Sequence, residues 1–233
     1  MRAKEFLSSR GVDFTSVDVI NDPGGMEELT ALGIMQLPVV RAGDRAVAGF
    51  DLDAIADLIG IEKRQHEILP PETLYEKLQT ILESAQRLIA AFPDDRLSMT
   101  VPRREQRDVR ALGYHVFRIP VDFIEALEGA EYRAGTQPVP ETIRSAADIV
   151  AFGEDVRCRL AAWFPSQSAA EWRRTLATSY GAHTQHLYFE RTTWHCGQHT
   201  RQLAALLESA GVAPQALPDD VFAGLPMPER LWE

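Results

Sequence analysis

The sequence has few cysteines, no long apolar run and no excess of basic residues, and each shortage excludes a class of protein. Two cysteines in 233 residues cannot form the disulfide framework of a small secreted domain, which agrees with a reducing compartment. No apolar run approaches the roughly 20 residues of a membrane-spanning helix, and no apolar signal segment follows Met1. These observations predict a cytoplasmic globular protein.

The formal net charge of −10 argues against a nucleic-acid partner. Affinity for nucleic acid depends on clustered Lys and Arg side chains, which replace the counterions of the phosphates. One short basic cluster, from Arg103 to Arg110, is interrupted by two acidic residues, and we interpret it as the solvated face of a helix. Contact with an anionic substrate is the alternative for this cluster. We expect neither a nucleic-acid nor a membrane partner.

The first sixty residues alternate between helical and extended patterns, which is typical of an α/β unit. The predicted elements are a helix over residues 4–10, a strand over 14–19, a helix over 26–32, strands over 37–40 and 46–48, and a helix over 51–59. Residues 61–70 have mixed charge and end in proline, so we predict a linker between this unit, residues 1–60, and the next one.

From Pro71 onward, apolar residues recur with the 3.6-residue period of helices. The pattern predicts four helices, over about residues 71–92, 104–128, 140–164 and 184–210, with a short extended turn before the last. Pro120 predicts a kink in the second helix because proline removes a backbone donor. Four helices of this length predict a four-helix bundle over residues 71–211. The fold class is therefore an α/β unit followed by an all-α unit.

Three histidines in the predicted bundle form a candidate metal site. His195 and His199 are four residues apart in the fourth helix, so their side chains project in nearly the same direction. His115 lies on or beside the apolar stripe of the second helix, where an imidazole without a partner is costly to bury. On spacing alone, unrelated core or surface histidines remain an alternative to metal ligands.

Other residues of the bundle are predicted to play structural roles. His186 lies nine residues before His195, about half a turn away around the helix, and is expected to face away from the metal. Cys196 is predicted to be a packed small residue, and Cys158 is predicted to lie in the core.

The bundle region resembles the DinB/YfiT-like family. The stretch WHCGQHTRQL at residues 194–203 is similar to the family's fourth-helix signature, with Thr-Arg-Gln-Leu where Arg-Gly-Gln-Leu is usual. The second-helix stretch LGYHV at residues 112–116 and the Tyr-Gly turn at 180–181 also match. The resemblance implies a four-helix bundle that holds one divalent metal ion through His115, His195 and His199. Zinc is the first choice, although three imidazoles also suit nickel, iron and copper.

The first sixty residues resemble a glutaredoxin from its first helix onward, with the thioredoxin fold that this implies. The matching stretches are RAKEFL at residues 2–7, LPVV at 37–40 and GFD at 49–51. In that family the corresponding residues hold a glutathione-like thiol or a substrate cysteine, so the resemblance gives as candidate thiol contacts Leu37, Pro38, Gly49, Phe50 and Asp51. Relative to that family, the first strand and the Cys-x-x-Cys motif are missing. Either the start of a longer protein has been lost, or the domain no longer performs redox chemistry and serves in docking.

Together the two resemblances imply a metal-dependent enzyme that uses or transfers a low-molecular-weight thiol such as glutathione. The electrophile is a small molecule, and the metal activates the thiol or a water, as in a thiol S-transferase or a thiol-dependent isomerase. Tyr114, Tyr188 and Arg191 are candidate substrate contacts near the site. The alternatives are a non-catalytic metal-binding or stress-response module, and a metal-dependent hydrolase or lyase that works without a thiol. Homodimer formation is left open.

Residues 212–233 form a proline-rich tail that cannot continue the last helix. Phe222 and Trp232 are large apolar groups to leave in water. We therefore expect this tail to pack on the bundle or on a partner, with disorder as the alternative.

Overall fold

A computed structural model describes most of the chain. The described residues are 3, 7, 12–17, 19, 22–34, 38–48, 52–60, 68–102, 104–129, 138–178, 181–218, 220–228 and 231–232. The chain divides into two compact units, Met1–Glu67 and Ile68–Glu233, which are called here the N-terminal unit and the helical unit. Within the described residues, no helix is both long and apolar enough to cross a membrane.

The N-terminal unit contains two helices and one β-hairpin. Its elements are α1 Pro23–Ala31, β1 Val39–Ala42, β2 Arg45–Ala48 and α2 Leu52–Ile59. The strands β1 and β2 pair antiparallel, with Val39 opposite Ala48. Gly43 closes the hairpin with a φ of 61°, a backbone conformation that glycine adopts without strain. A small core forms around Ile55, on which Ala3 and Leu7 pack.

The strand predicted over residues 14–19 is wrong for the residues that are described. Residues 12–17 have no regular structure, and Val19 lies in a turn. A strand exists only when its backbone groups bond to a neighbouring strand, and no described strand pairs with this segment. Most of the helix predicted over residues 4–10 lies outside the described residues.

The helical unit is built on four long helices that surround one apolar core. Its elements are α3 Pro71–Ala90, β3 Thr100–Val101, β4 Arg104–Asp108, α4 Val109–Leu127, α5 Ala146–Trp163, α6 Ala169–Trp172, β5 Thr175–Thr178, β6 Gly181–Thr184 and α7 Gln185–Ser209. The long helices α3, α4, α5 and α7 contact one another as a bundle. The fold class is thus α/β followed by all-α, as the sequence predicts.

Helix α3 contributes a regular apolar stripe to this core. Leu74, Leu78, Ile81 and Leu82 recur at helical spacing, and all four are buried. Burial of one such side chain stabilises the fold by about 1.5–3 kcal/mol relative to exposure. Proline at the first helical position suits this start, because the missing N–H would have no partner in the helix.

Helix α4 begins later than the sequence pattern suggests. Residues 104–108 form strand β4, which pairs with β3, and Asp108 caps the helix by accepting a hydrogen bond from the Ala111 N–H at 2.7 Å. The predicted start at residue 104 is therefore wrong. Arg104 and Arg107 lie in a strand, so our interpretation of the basic cluster as a helix face is wrong for them. Pro120 does lie inside the helix.

Helix α5 also begins later than predicted. Ser145 and Asp148 form a reciprocal capping box, in which each side chain accepts a hydrogen bond from the other residue's backbone N–H. Residues 140–144 precede it as a turn, with a hydrogen bond from the Ile143 N–H to the Pro140 carbonyl. The prolines at 138 and 140 therefore lie ahead of the helix.

Helix α7 follows the β5–β6 hairpin and carries the histidine pair. The Thr184 hydroxyl caps it by accepting from the Leu187 N–H at 3.2 Å. Gly211, with a φ of 84°, ends the helix in the left-handed conformation that glycine favours.

The described residues between 212 and 232, called here the C-terminal segment, include several that contact the bundle. Val221 is buried, and the ammonium group of Lys77 in α3 donates to the Asp220 carbonyl at 2.7 Å. The ring of Phe222 lies against Gly197 of α7, where a Cβ atom would meet Phe222 Cε1 at 3.0 Å. Glycine at 197 therefore lets the aromatic ring approach the helix backbone.

Candidate metal centre

Two packed helices bring three histidines together. His115 comes from α4, whereas His195 and His199 lie one helical turn apart on α7. The two helices contact each other along the bundle. His115 is 9% exposed, and the other two imidazoles are half-buried. The cluster thus lies at the border between core and solvent, where a bound ion can meet a second molecule.

The distances fit a site for one small cation. The Nε2 atoms of His195 and His199 are 3.0 Å apart, and one nitrogen from each of the three rings lies within 4.8 Å of the others. Zinc–nitrogen bonds of about 2.0–2.1 Å in a tetrahedral site place two ligand nitrogens about 3.3 Å apart. The separation of the pair on α7 is about 0.3 Å shorter than this, and His115 needs to move inward by about 1.5 Å at most.

A hydrogen bond defines which nitrogen of His199 faces the cluster. Its Nδ1 lies 2.7 Å from Oε1 of Gln202, an atom that can only accept, so Nδ1 carries the proton and donates it. The Nε2 atom then keeps its lone pair and points to His195. A ligand imidazole whose second nitrogen donates to a neighbouring oxygen is the usual arrangement in protein metal sites.

The donor set suits a divalent ion of borderline softness. Three neutral imidazoles leave the charge of such an ion uncompensated and leave a coordination position for another molecule, which is typical of catalytic sites. The cluster is therefore compatible with a metal ion, and its chemistry does not specify which one.

Tyr114 directly precedes His115 on α4. It is buried, and its ring stacks on Phe152 with the centroids 5.0 Å apart. Burial raises the pKa of the Tyr114 hydroxyl, and the nearby Arg118 partly opposes this effect. The phenol therefore stays protonated and can act as a hydrogen-bond donor.

The two candidates on α7 lie in different surroundings. Tyr188 is 3% exposed and contacts the Phe123 ring edge-on at 5.1 Å between centroids, so it belongs to the aromatic core. Arg191 is half-buried, and its guanidinium lies 5.7 Å from the centre of the Trp194 ring. The Trp194 ring in turn lies 5.6 Å from the His195 ring. Arg191 is thus connected to the cluster through one aromatic side chain.

Only one of the predicted thiol contacts in the N-terminal unit falls within the described residues. Pro38 is half-buried and directly precedes β1. The other four candidates, which are Leu37, Gly49, Phe50 and Asp51, lie outside the described residues.

The two cysteines have opposite environments. Cys196 is fully buried in α7, and its thiol lies 3.4 Å from the Val116 carbonyl. Burial raises the pKa of this thiol far above its usual value, so Cys196 is not a nucleophile at neutral pH. Cys158 is exposed on α5, so its predicted place in the core is wrong.

His186 takes part in a structural contact. Its Nε2 donates to the Leu69 carbonyl at 2.8 Å, and its ring lies 6.1 Å from the Trp172 ring centre. His186 is not part of the three-histidine cluster, in agreement with its half-turn offset along α7.

Two polar features near the site were not predicted from the sequence. One is Gln202, whose bond to His199 follows from the i to i+3 spacing of their positions on one helix face. The other is a charged group on α4, in which Arg118 pairs with Asp122 at 2.8 Å and also contacts Glu125. The sequence signal for both features was the spacing of their residues along a helix. It is three positions for His199 and Gln202, and four and seven positions for the charged group on α4.

Comparisons with known proteins show that the N-terminal part is similar to glutaredoxins. A family model described as Glutaredoxin matches residues 1–47. The Glutaredoxin-like protein NrdH of Escherichia coli strain K12 is 44% identical over 52 residues, which are 22% of this chain and 64% of that protein. The protein of the same name from Salmonella typhimurium strain LT2 matches with the same figures. The chain thus spans less than two thirds of the length of these curated relatives, and it has a glutaredoxin domain at its N-terminus.

A solved structure resembles the helical part. A DinB-like protein from Bacillus cereus ATCC 10987 superposes with a TM-score of 0.54 at 15% sequence identity. The match covers 65% of this chain and 100% of that protein. At this identity the likeness concerns the fold, so the helical unit has the fold of a DinB-like protein.

Proposed function

We propose that this protein is a metal-dependent enzyme that uses or transfers a low-molecular-weight thiol, of the glutathione type, to an electrophilic small molecule. The observation that carries the proposal is the convergence of His115, His195 and His199 within 4.8 Å at the edge of the bundle core. The glutaredoxin domain supports the thiol part, because that fold is suited to hold a thiol-bearing peptide.

The protein residues would hold and orient the reactants. The three imidazoles would bind the ion in neutral form, and when bound the ion would supply the positive charge that favours a thiolate over a thiol. Tyr114 and Arg191 are proposed to contact the thiol compound or the electrophile. In a transfer, the thiolate sulfur forms a bond to the electrophilic carbon, the leaving group departs with its bonding electrons, and the thiol proton passes to solvent.

A second candidate is a binding or stress-response module in which the ion only joins two helices. The observation in its favour is that the ligands come from α4 and α7, so an ion would cross-link them. In this case the ion would add to the free energy of unfolding without supporting turnover.

The first experiment measures metal content. Purified protein and the variants His115→Ala and His195→Ala are analysed for bound metals after reconstitution with zinc, nickel or iron. His183→Ala, which changes a histidine outside the cluster, is the matched control. Near-stoichiometric metal in the wild type and the control, with loss in both cluster variants, supports the proposal. Equal metal content in all four proteins would refute it.

The second experiment separates the candidate functions. Metal-loaded protein is titrated with glutathione in a calorimeter, and conjugation of glutathione to 1-chloro-2,4-dinitrobenzene is then followed by absorbance. Metal-dependent thiol binding together with conjugation supports the transferase. Turnover of an ester substrate without thiol favours a hydrolase. A metal that raises stability but supports neither thiol binding nor turnover favours the binding module.

A further inference from the structure

The carbonyl oxygen of Leu231, in the C-terminal segment, accepts hydrogen bonds from two side-chain amides of α7. The Nε2 atoms of Gln198 and Gln202 both lie 2.8 Å from this oxygen. A carbonyl can only accept, so each amide must present its nitrogen to Leu231. The orientation of both glutamine side chains is therefore determined by a backbone atom far away in sequence.

This orientation fixes what Gln202 presents to the histidine cluster. Because its nitrogen faces Leu231, its Oε1 faces Nδ1 of His199 at 2.7 Å. Oε1 accepts the Nδ1 proton, and the lone pair of the imidazole then lies on Nε2, which is the atom next to His195. If the amide were rotated by half a turn, its NH₂ group would face Nδ1 and favour the opposite tautomer, with the proton on the cluster side.

The contacts around the two glutamines resist such a rotation. Gln202 and Gln198 are 9% and 6% exposed, so water cannot freely replace their partners. Arg201 donates to Oε1 of Gln198 at 3.1 Å and to the Pro228 carbonyl at 2.8 Å. One arginine thus connects the C-terminal segment to the same side of α7.

We propose that Gln202 is a positioning residue for the metal centre and that the Leu231 carbonyl anchors it. The C-terminal segment thereby selects the tautomer of His199 whose Nε2 can bind a cation. The consequence for metal affinity depends on the proposed function of the three histidines, whereas the consequence for the tautomer does not.

The affinity test compares three variants with the wild type by zinc competition with a chromogenic chelator. Gln202→Leu removes the acceptor for Nδ1, and we expect a loss of about 10–100-fold in affinity. Gln202→Glu restores an acceptor for Nδ1, so its affinity should recover to within about threefold of the wild type. Gln198→Leu is the matched control, because it removes a bond to Leu231 without touching His199, and it should also stay within about threefold.

A deletion tests the anchor itself. Removal of residues 229–233 takes away the Leu231 carbonyl while leaving the Phe222 contact with Gly197 in place. The Gln202 amide is then free to rotate, and we expect about a three- to tenfold loss in zinc affinity. Combining the deletion with Gln202→Glu should cancel this loss, because a carboxylate has no donor to present. An unchanged affinity in the deletion would overturn the role of Leu231.

The tautomer test needs no metal. Nitrogen-15 chemical shifts of the imidazoles in the metal-free protein, assigned with the His199→Ala variant, distinguish a proton on Nδ1 from one on Nε2. We expect the Nδ1–H form for His199 in the wild type and a mixture in Gln202→Leu. An Nε2–H form in the wild type overturns the proposal. If the tautomer changes as expected but the wild type binds no metal, the proposed function fails while the link between Leu231, Gln202 and His199 stands.

Discussion

Gly153 of α5 lies against the ring of Phe117 of α4 so closely that a Cβ atom on Gly153 would be 2.8 Å from Phe117 Cε1. Two further ring atoms lie within 3.0 Å of that position. Phe117 is fully buried and is two residues from His115, so this contact helps to define where α4 places its metal-site candidate. An aromatic ring cannot bend away as an aliphatic chain end can.

The variant Gly153→Ala should therefore destabilise the helical unit. Overpacking a close-packed core costs about 1–3 kcal/mol, and the better helix propensity of alanine returns up to about 1 kcal/mol. We expect a net loss of about 1 kcal/mol in the free energy of unfolding, measured by urea denaturation. Adding Phe117→Leu should make the effect of Gly153→Ala smaller, because the ring is then absent. Purely additive effects of the two changes would contradict this account.

Removal of metal should lower the thermal stability of the reconstituted protein. A ligand that binds only the folded state stabilises it in proportion to the logarithm of its concentration over Kd, by about 4 kcal/mol at a thousandfold excess. Differential scanning fluorimetry with and without a chelator measures the shift. His195→Ala should show almost no response to the chelator. A response equal to that of the wild type would place the metal elsewhere.

Asp122 should give the protein a distinctive pH dependence. Burial raises the pKa of this carboxyl to about 6, while Arg118 acts in the opposite direction. The folded state therefore binds a proton that the unfolded state releases near pH 4, so stability falls as the pH rises from about 4 to 6. After allowance for solvent screening, we expect Asp122 to lower the free energy of unfolding by on the order of 1 kcal/mol over this pH range.

The variant Asp122→Asn isolates this contribution. Between pH 4 and 6, the free energy of unfolding of this variant should fall less than that of the wild type, as measured by urea denaturation at several pH values. Asp155→Asn, on the exposed face of α5, serves as the matched control and should follow the wild-type profile. If Asp122→Asn and the wild type have parallel profiles, the carboxyl does not titrate in this range.

The two cysteines should react very differently with an alkylating reagent. Only a thiolate reacts rapidly, and the buried Cys196 stays protonated, whereas Cys158 is exposed. Treatment of the folded protein with iodoacetamide at pH 8 should add one group, at Cys158, as judged by peptide mass spectrometry. Cys158→Ser should then add none, and denaturation should make Cys196 reactive. Rapid modification of Cys196 in the folded protein would show that α7 opens.

The sequence predicted the long helices well because their signals are local. The apolar stripe of α3, the proline at its start and Gly211 after α7 all act within a few residues. The histidine cluster could be predicted for the same reason and from the family resemblance. The α7 pair lies at helical spacing, and a bundle of this class places His115 close to that pair.

The errors arose where a distant partner decides the local structure. Residues 104–108 are all polar, so no apolar alternation marks them as a strand, and they form one because they pair with β3. The start of α5 is an exception, because it was placed too early although Ser145 and Asp148 carried a local capping signal. The hydrogen bond between Gln202 and Leu231 spans 29 positions, and no periodicity reports such a contact.

The close contact between Gly197 and Phe222 also bears on whether the histidine pair would keep its properties in an isolated peptide. Glycine within a helix weakens it by about 1 kcal/mol relative to alanine, so α7 carries a local weakness between its two histidines. A synthetic peptide copying residues 185–209 would be poorly helical, would lack His115, and would leave His199 without the Leu231 carbonyl that orients its glutamine partner. The proposed metal site is therefore not contained in this helix alone but requires the assembled bundle.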